Sequence, residues 1–108
     1  MNQLQLTKSD HGKTVSARLG DEAVITLDEN QTTGYRWAVD KLDADFIEVR
    51  TSDYTLGSGT AVGGGGIRRI TLLLKKAGSV RLELKLRREW ERDSQGIDHF
   101  VIDFVIGN

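Results

Sequence analysis

Val80-Arg81-Leu82-Glu83-Leu84-Lys85-Leu86-Arg87 alternates apolar and charged residues without interruption. Successive side chains of a β-strand point to opposite faces, so this pattern predicts a strand with one face in a core and the other in solvent. Phe100, Ile102, Phe104 and Ile106 repeat the alternation near the C-terminus. Together the two stretches favour an antiparallel sheet as the basis of the fold.

Six shorter stretches show weaker alternation or an excess of β-branched residues, with turn-forming residues between most of them. They are residues 3–7, 15–19, 23–27, 35–39, 46–51 and 67–74. No window has the apolar spacing of an amphipathic helix. This succession predicts an all-β fold, an immunoglobulin-like antiparallel β-sandwich of seven to eight strands, with residues 15–19 as an additional edge segment.

Length and composition indicate one ordinary globular domain over residues 1–108. The hydrophobic fraction is 38%, the charged fraction is 29%, and no apolar run approaches the roughly 20 residues that span a bilayer. A net charge of -1 provides no field that would attract nucleic acid or an anionic membrane. The basic residues between positions 81 and 92 alternate with acidic ones, which is typical of a solvated face. We therefore expect neither a nucleic-acid nor a membrane partner.

The chain contains no cysteine, which excludes disulfides and thiolate metal sites and leaves the redox compartment open. Residues 1–8 lack the apolar core of a signal peptide. The localisation is therefore unknown: the protein is cytoplasmic, or it is periplasmic or secreted if an export signal has been removed.

Residues with catalytic chemistry are isolated in the sequence. His11 and His99 have no second imidazole or paired carboxylate at metal-ligand spacing, which favours surface or strand-end roles. No serine lies in a Gly-x-Ser-x-Gly elbow, and there is no phosphate-binding loop. We expect no catalytic residue, no metal and no cofactor, so the sequence indicates a binding protein and not an enzyme.

Three connections between predicted strands contain more residues or larger side chains than a simple turn between two strands needs. They contain Asn30-Gln31-Thr32-Thr33-Gly34-Tyr35, the glycine run Gly63-Gly64-Gly65-Gly66, and Arg88-Glu89-Trp90. They follow the predicted strands at residues 23–27, 46–51 and 80–87. If successive strands run in opposite directions, all three connections leave the sandwich at one pole. Binding sites are often built from loops on a rigid scaffold, so we expect a composite binding surface there.

Structural interpretations of these residues stay open at this point. Thr32 and Thr33 could cap a turn through their hydroxyl groups, and Gly34 could supply a positive φ. The glycine run could be a flexible connector between residues 55 and 66. Trp37 alternates in phase with Tyr35 and Val39 in its predicted strand, which favours a core position. Trp90 is either an interface anchor or part of a satellite core.

The three motifs resemble those of the chagasin-type inhibitors of papain-like cysteine peptidases. Residues 30–35 are similar to that family's Asn-Pro-Thr-Thr-Gly-Tyr/Phe, residues 63–66 to Gly-x-Gly-Gly, and residues 88–90 to Arg-Pro-Trp. The order and spacing agree along the whole chain. Gln31 and Glu89 stand where the family tends to have proline, and this chain contains no proline.

The resemblance implies a reversible, competitive protein inhibitor that inserts three loops into the active-site cleft of a peptidase. Thr32 and Thr33 would lie at the centre of the contact, the glycines on one side, and Arg88 with Trp90 on the other. The implied partners are papain-like peptidases of the cathepsin L type, bound by an inhibitor that is monomeric when free.

Two other classes of protein remain as alternatives. An immunoglobulin-like carbohydrate-binding or adhesion module would use Trp90 and Tyr54 to stack on sugar rings. A β-sandwich hydrolase would use dispersed acidic residues, but no pair of carboxylates is identifiable from spacing.

Overall fold

The computed structural model describes residues 3–30, 33–56, 65–91 and 95–108. The strands are β1 (Gln3–Thr7), β2 (Thr14–Arg18), β3 (Glu22–Glu29), β4 (Tyr35–Lys41), β5 (Ile47–Leu56), β6 (Gly66–Leu74), β7 (Gly78–Arg88) and β8 (Asp98–Gly107). A 3-10 turn, Lys8–Asp10, follows β1. In these ranges no helix has both the length and the apolar character needed to cross a membrane.

The strands form two four-stranded sheets that pack face to face. The first sheet has the order β1-β3-β6-β5, and the second has the order β2-β8-β7-β4. Each predicted strand segment overlaps an observed strand, and the segment at residues 15–19 corresponds to β2, an edge strand of the second sheet. The predicted all-β sandwich is therefore confirmed.

The predicted antiparallel pairing does not extend to two of the strand pairs, because β1 pairs with β3 and β2 pairs with β8 in parallel. The remaining neighbours are antiparallel. Every connection reverses the chain, so odd-numbered strands run one way and even-numbered strands run the other. The connections from β1 to β2 and from β2 to β3 cross between the sheets, and this brings strands of equal parity side by side.

The core lies between the sheets and is built from side chains at alternate strand positions. The largest fully buried side chains are Phe100, Phe104, Ile25, Leu27, Ile47, Leu72, Leu74, Leu82, Leu84 and Ile102. Trp37 belongs to the same cluster and is 6% exposed, which confirms its predicted core role. The indole Nε1 of Trp37 also donates a hydrogen bond of 2.9 Å to the carbonyl oxygen of Asp28.

The β5 strand is longer than the sequence pattern predicted. It continues beyond residue 51 to Leu56, which pairs with Gly66, so Tyr54 and Thr55 belong to the sheet and not to a connector. The register of β5 shifts between Val49 and Thr51. A bulge of this kind moves the following side chains out of the period-2 pattern, and the sequence alternation therefore stops too early.

Candidate functional site

Three connections begin at one end of the sandwich, which we call the loop pole. The first loop (residues 30–34) follows β3, the second (residues 57–65) follows β5, and the third (residues 89–97) follows β7. The pairing of Glu29 with Gly66 and of Gly66 with Leu56 brings the ends of β3 and β5 together. The pairing of Tyr35 with Arg88 adds the end of β7. The predicted common pole for the three connections is confirmed for these strand ends.

The first loop has a different position from the other two, because it connects the two sheets. The second loop joins β5 to β6 within the first sheet, and the third joins β7 to β8 within the second sheet. The strand ends at this pole therefore carry one connection between the sheets and one connection within each sheet. This topology is suited to a central contact with one support on either side.

Hydrogen bonds define the shape of the first loop where it is described. The Thr33 hydroxyl donates to the Asn30 carbonyl oxygen at 2.7 Å, and the Thr33 amide donates to the same oxygen at 3.3 Å. The Tyr35 amide donates to Thr33 Oγ1 at 3.4 Å. Gly34 has a φ of 81°. The turn-forming interpretation of Thr33 and Gly34 is thus confirmed. Gln31 and Thr32 lie outside the described residues.

Arg88 and Trp90 join the third loop to the first. The Arg88 guanidinium lies 4.7 Å from the centre of the Tyr35 ring and 5.9 Å from that of Trp90. Its Nε is buried and has no hydrogen-bond partner among the described residues. The rings therefore supply a cation–π environment for a charge that is partly removed from water. Arg88 keeps the inward phase of Leu86 and extends β7, whereas the sequence pattern ended the strand at residue 87.

Trp90 remains open to solvent even though it packs on the first loop. It is 72% exposed, and its Cη2 lies 2.9 Å from the position that a Cβ would occupy at Gly34. An exposed indole held by a neighbouring loop has little freedom to lose on binding, which is characteristic of an interface anchor. The alternative of a satellite-core role for Trp90 is not supported by this exposure.

Gly34→Ala is expected to disturb both the first loop and the packing of Trp90 against that loop. The left-handed backbone at Gly34 would cost an alanine about 1–2 kcal/mol of stability, and the new methyl group would displace the indole. Gly20→Ala is a matched control, because Gly20 has a φ of 91°, lies at the opposite pole and has no atom within 4 Å of its Cβ position. Thermal unfolding should show similar losses of stability for both variants, but only Gly34→Ala should weaken the peptidase inhibition that the family resemblance implies. If the two variants inhibited equally well, the packing of Trp90 against Gly34 would not contribute to binding.

The glycines of the second motif have different environments. A Cβ at Gly65 would meet nothing within 4 Å, whereas a Cβ at Gly66 would overlap the Tyr54 ring and lie 2.6 Å from the Thr55 carbonyl oxygen. Gly66 is also paired with both neighbouring strands. The interpretation of the glycine run as a flexible connector therefore does not apply to Gly66, which is packed within the sheet.

Two members of the glycine run, Gly63 and Gly64, lie outside the described residues. The carbohydrate-binding alternative requires the Tyr54 ring as a stacking platform. This ring is packed against Gly66, and the Arg68 guanidinium lies over it, 5.7 Å from the ring centre. It therefore does not form an open platform with Trp90.

Several charged side chains in the described part of the loop pole have defined contacts. Glu89 lies 3.7 Å from Arg36, and both side chains are exposed. Arg87 donates to the carbonyl oxygens of Arg88 and Glu89 at 3.1 and 3.2 Å. These contacts give the start of the third loop a defined shape although it lacks the proline that is usual at position 89 in the resembling family.

An exposed ion pair lies on β7 and β8, away from the loop pole. Arg81 donates to Asp103 through two hydrogen bonds, at 2.8 and 3.1 Å. These hydrogen bonds hold the pKa of the Asp103 carboxyl below its ordinary value.

Glu29 and Arg68, which the sequence pattern did not single out, lie in the strands next to the loops and contact each other there. Glu29 is 2% exposed and accepts hydrogen bonds from Arg68 through both carboxylate oxygens. The alternation of β3 contained the signal for Glu29, because Ile25, Leu27 and Glu29 occupy the same inward phase. A charged residue at an inward position requires a partner.

The described residues contain no group of three or more His, Asp or Glu side chains that could hold a metal. Each histidine is engaged by the backbone: His11 Nδ1 accepts from the Val101 amide at 3.0 Å, and His99 Nε2 lies 2.7 Å from the Gln95 carbonyl oxygen. Both histidines are exposed, His11 in the turn before β2 and His99 near the start of β8, which agrees with the predicted surface or strand-end roles.

Comparison with known proteins identifies the family. Residues 16–104 match the family described as chagasin family peptidase inhibitor I42. Amoebiasin-1 of Entamoeba histolytica is 28% identical over 89 residues, which are 81% of this chain and 84% of that protein. Chagasin of Trypanosoma cruzi is 24% identical over 102 residues, which are 91% and 93% of the two chains.

Solved structures share the fold at low sequence identity. The cysteine protease inhibitor EhICP2 of Entamoeba histolytica matches with a TM-score of 0.83 and 24% identity, covering 98% of this chain and 96% of that one. PbICP-C, solved in complex with falcipain-2, matches with a TM-score of 0.63 and 19% identity, covering 98% and 90%. Because the family match extends over residues 16–104 and the sandwich is shared, this chain belongs to the chagasin family of peptidase inhibitors and is an inhibitor, not an enzyme.

Proposed function

We propose that this protein inhibits papain-like cysteine peptidases by inserting the loop pole into the active-site cleft. The observation that carries the proposal is the position of the first loop, which crosses between the sheets and is flanked by a hairpin connection from each. A cleft that accepts an extended substrate has a floor and two walls. A central loop with two flanking loops is complementary to that shape.

The proposed contact surface includes all three loops and the strand ends next to them. It comprises Asn30, Gln31, Thr32, Thr33, Gly34, Tyr35, Gly63, Gly64, Gly65, Arg88, Glu89 and Trp90, with Gly66 supporting the second loop from within the sheet. Thr32 and Thr33 would approach the floor of the cleft, because their side chains are short and the next residue is glycine. Trp90 would cover one wall with its exposed ring.

Inhibition of this kind requires no covalent step. The described part of the loop pole has no cysteine and no histidine directed at a partner, so its chemistry is that of hydrogen bonds and surface burial. A standard protein interface buries roughly 800 Å² on each partner, an area that three loops at one pole can supply. The indole of Trp90 and the backbone around Gly34 are the parts of this surface most able to enter a narrow cleft.

The preferred targets would be cathepsin L-like enzymes, bound one to one by a monomeric inhibitor. Glu89, which stands where proline is usual in the family, adds a carboxylate that is 69% exposed beside Trp90. This charge would favour peptidases with a basic residue on the adjacent wall. Its partner Arg36 would then be released to solvent or to an acidic group of the peptidase.

Steady-state inhibition of papain and cathepsin L with a fluorogenic peptide tests the proposal. Apparent inhibition constants should rise linearly with substrate concentration, and activity should return on dilution, because binding is competitive and reversible. Trypsin, whose cleft has another shape, should stay active. Full activity of both cysteine peptidases at micromolar inhibitor would overturn the proposal, as would inhibition that persists after dilution together with a covalent adduct in the mass spectrum.

A further inference from the structure

A buried carboxylate lies directly beneath the first loop. Glu29 is the last residue of β3, and its side chain is completely enclosed. Enclosing a carboxylate is unfavourable unless charged partners and hydrogen bonds replace the water it loses. The contacts of Glu29 therefore indicate which structural role a charged residue has at this position.

The Glu29 carboxylate is bound by two different parts of the loop pole. Oε1 accepts from the Trp37 amide at 2.8 Å and from Arg68 Nε at 3.2 Å, while Oε2 accepts from Arg68 Nη2 at 2.8 Å. The paired bonds from Arg68 give the bidentate geometry that is among the strongest and most directional in proteins. This geometry fixes the orientation of both side chains.

Arg68 extends the connection to the strands of the second loop. Its Nη1 lies within hydrogen-bond distance of the carbonyl and hydroxyl oxygens of Ser52, at 3.4 and 3.3 Å. Its guanidinium also lies over the Tyr54 ring, which covers Gly66. Arg68 is on β6, after the second loop, whereas Ser52 and Tyr54 are on β5, before it.

The resulting network spans the entrance and the exit of two loops. Glu29 precedes the first loop and Trp37 follows it, so one carboxylate joins both ends of that loop. Arg68 in the same way joins both sides of the second loop. The Trp37 amide belongs to β4, an edge strand of the other sheet, so the network also connects the two sheets at this pole.

Stability alone does not account for such a pair. Replacing a buried ion pair by well-packed apolar residues is often neutral or stabilising in proteins. A rigid arrangement of loops, in contrast, directly benefits a binding surface, because less conformational freedom is lost when the partner is bound.

We propose that Glu29 and Arg68 are positioning residues that set the separation of the first and second loops and thereby determine how long the inhibitor stays bound to its peptidase. The proposal rests on the function proposed above. Neither side chain touches the peptidase: both act through the loops that they hold.

The test combines single and double substitutions with kinetic measurements on papain. Glu29→Gln, Arg68→Met and the double variant are compared with the parent protein in association rate, dissociation rate and thermal unfolding. Each single variant is expected to dissociate at least ten-fold faster with a nearly unchanged association rate. The double variant should be no worse than either single variant, because both substitutions break one network.

Two control variants separate positioning from general stability. Ile106→Val removes a methylene group from the core near the opposite pole, and Arg81→Met breaks the exposed two-bond pair with Asp103. Both should leave the dissociation rate unchanged at a temperature where all variants are folded. If Ile106→Val accelerates dissociation as much as Arg68→Met does, the effect is one of stability and the positioning role is rejected.

Amide hydrogen exchange in the free protein gives a readout that does not require inhibition. Exchange at Trp37 and Thr33 should be faster in Arg68→Met than in Ile106→Val. If the parent protein does not inhibit papain, the proposed function is wrong. The exchange comparison then decides by itself whether Glu29 and Arg68 hold the loops in place. If folded Arg68→Met matches the parent in exchange and in dissociation, the positioning role is wrong, whether or not Glu29→Gln folds.

Discussion

Trp37→Ala is expected to lower the free energy of unfolding by about 3–5 kcal/mol, the range typical of a buried tryptophan truncated to alanine. Trp37 is 6% exposed and packs in the main core cluster. Its removal would leave a cavity and would remove the hydrogen bond from the indole to the Asp28 carbonyl oxygen. Urea unfolding followed by far-UV circular dichroism measures the loss.

Trp37→Phe is the matched control for this substitution. Phenylalanine retains much of the ring volume but cannot donate to Asp28, so its cost should be clearly smaller than that of alanine. Inhibition of papain by either variant, measured where the protein is folded, should change far less than stability does. A Trp37→Ala protein as stable as the parent would show that the core is organised differently.

Trp90→Ala is expected to produce the opposite result. Inhibition should weaken by about 2 kcal/mol or more, which is roughly 30-fold in the inhibition constant, because the exposed indole is proposed as an interface hot spot. Stability should change little, since the side chain is 72% exposed. Inhibition constants and unfolding curves for the same preparation measure both quantities.

Leu19→Ala is the control for Trp90→Ala, because Leu19 is also an exposed apolar residue, at 47%, but lies between β2 and β3 at the opposite pole. It should affect neither inhibition nor stability by more than a small amount. An unchanged inhibition constant for Trp90→Ala would remove the third loop from the contact. A large loss of stability would instead assign Trp90 to a satellite core.

The strands and the common pole of the loops could be predicted because both depend on local alternation and on the reversal of the chain at each turn. Residues 80–87 illustrate this, since each apolar side chain between Val80 and Leu86 faces inward in β7. The parallel pairs could not be predicted. Which strands become neighbours depends on whether a connection stays in one sheet or crosses to the other, and short turns do not encode that choice.

The details of the site depended on contacts between residues distant in sequence. Arg88 interrupts the alternation as a charged residue, yet it is inward because the Tyr35 and Trp90 rings receive its guanidinium. Glu29 has a sequence signal in its inward phase, but its partner Arg68 lies 39 positions away. The packing role of Gly66 also depends on a tyrosine that the alternation did not assign to a strand.

We propose that the loop pole is the surface that binds the peptidase. Amide chemical shifts of the labelled inhibitor, recorded with papain whose catalytic cysteine is reversibly blocked, test this most directly. We predict that changes concentrate at residues 30–35, 57–66 and 88–91, and that Gly20 and residues 75–77, at the opposite pole, are unaffected. Changes concentrated on the β1 and β2 edges or at that opposite pole would show that the peptidase binds elsewhere on the sandwich.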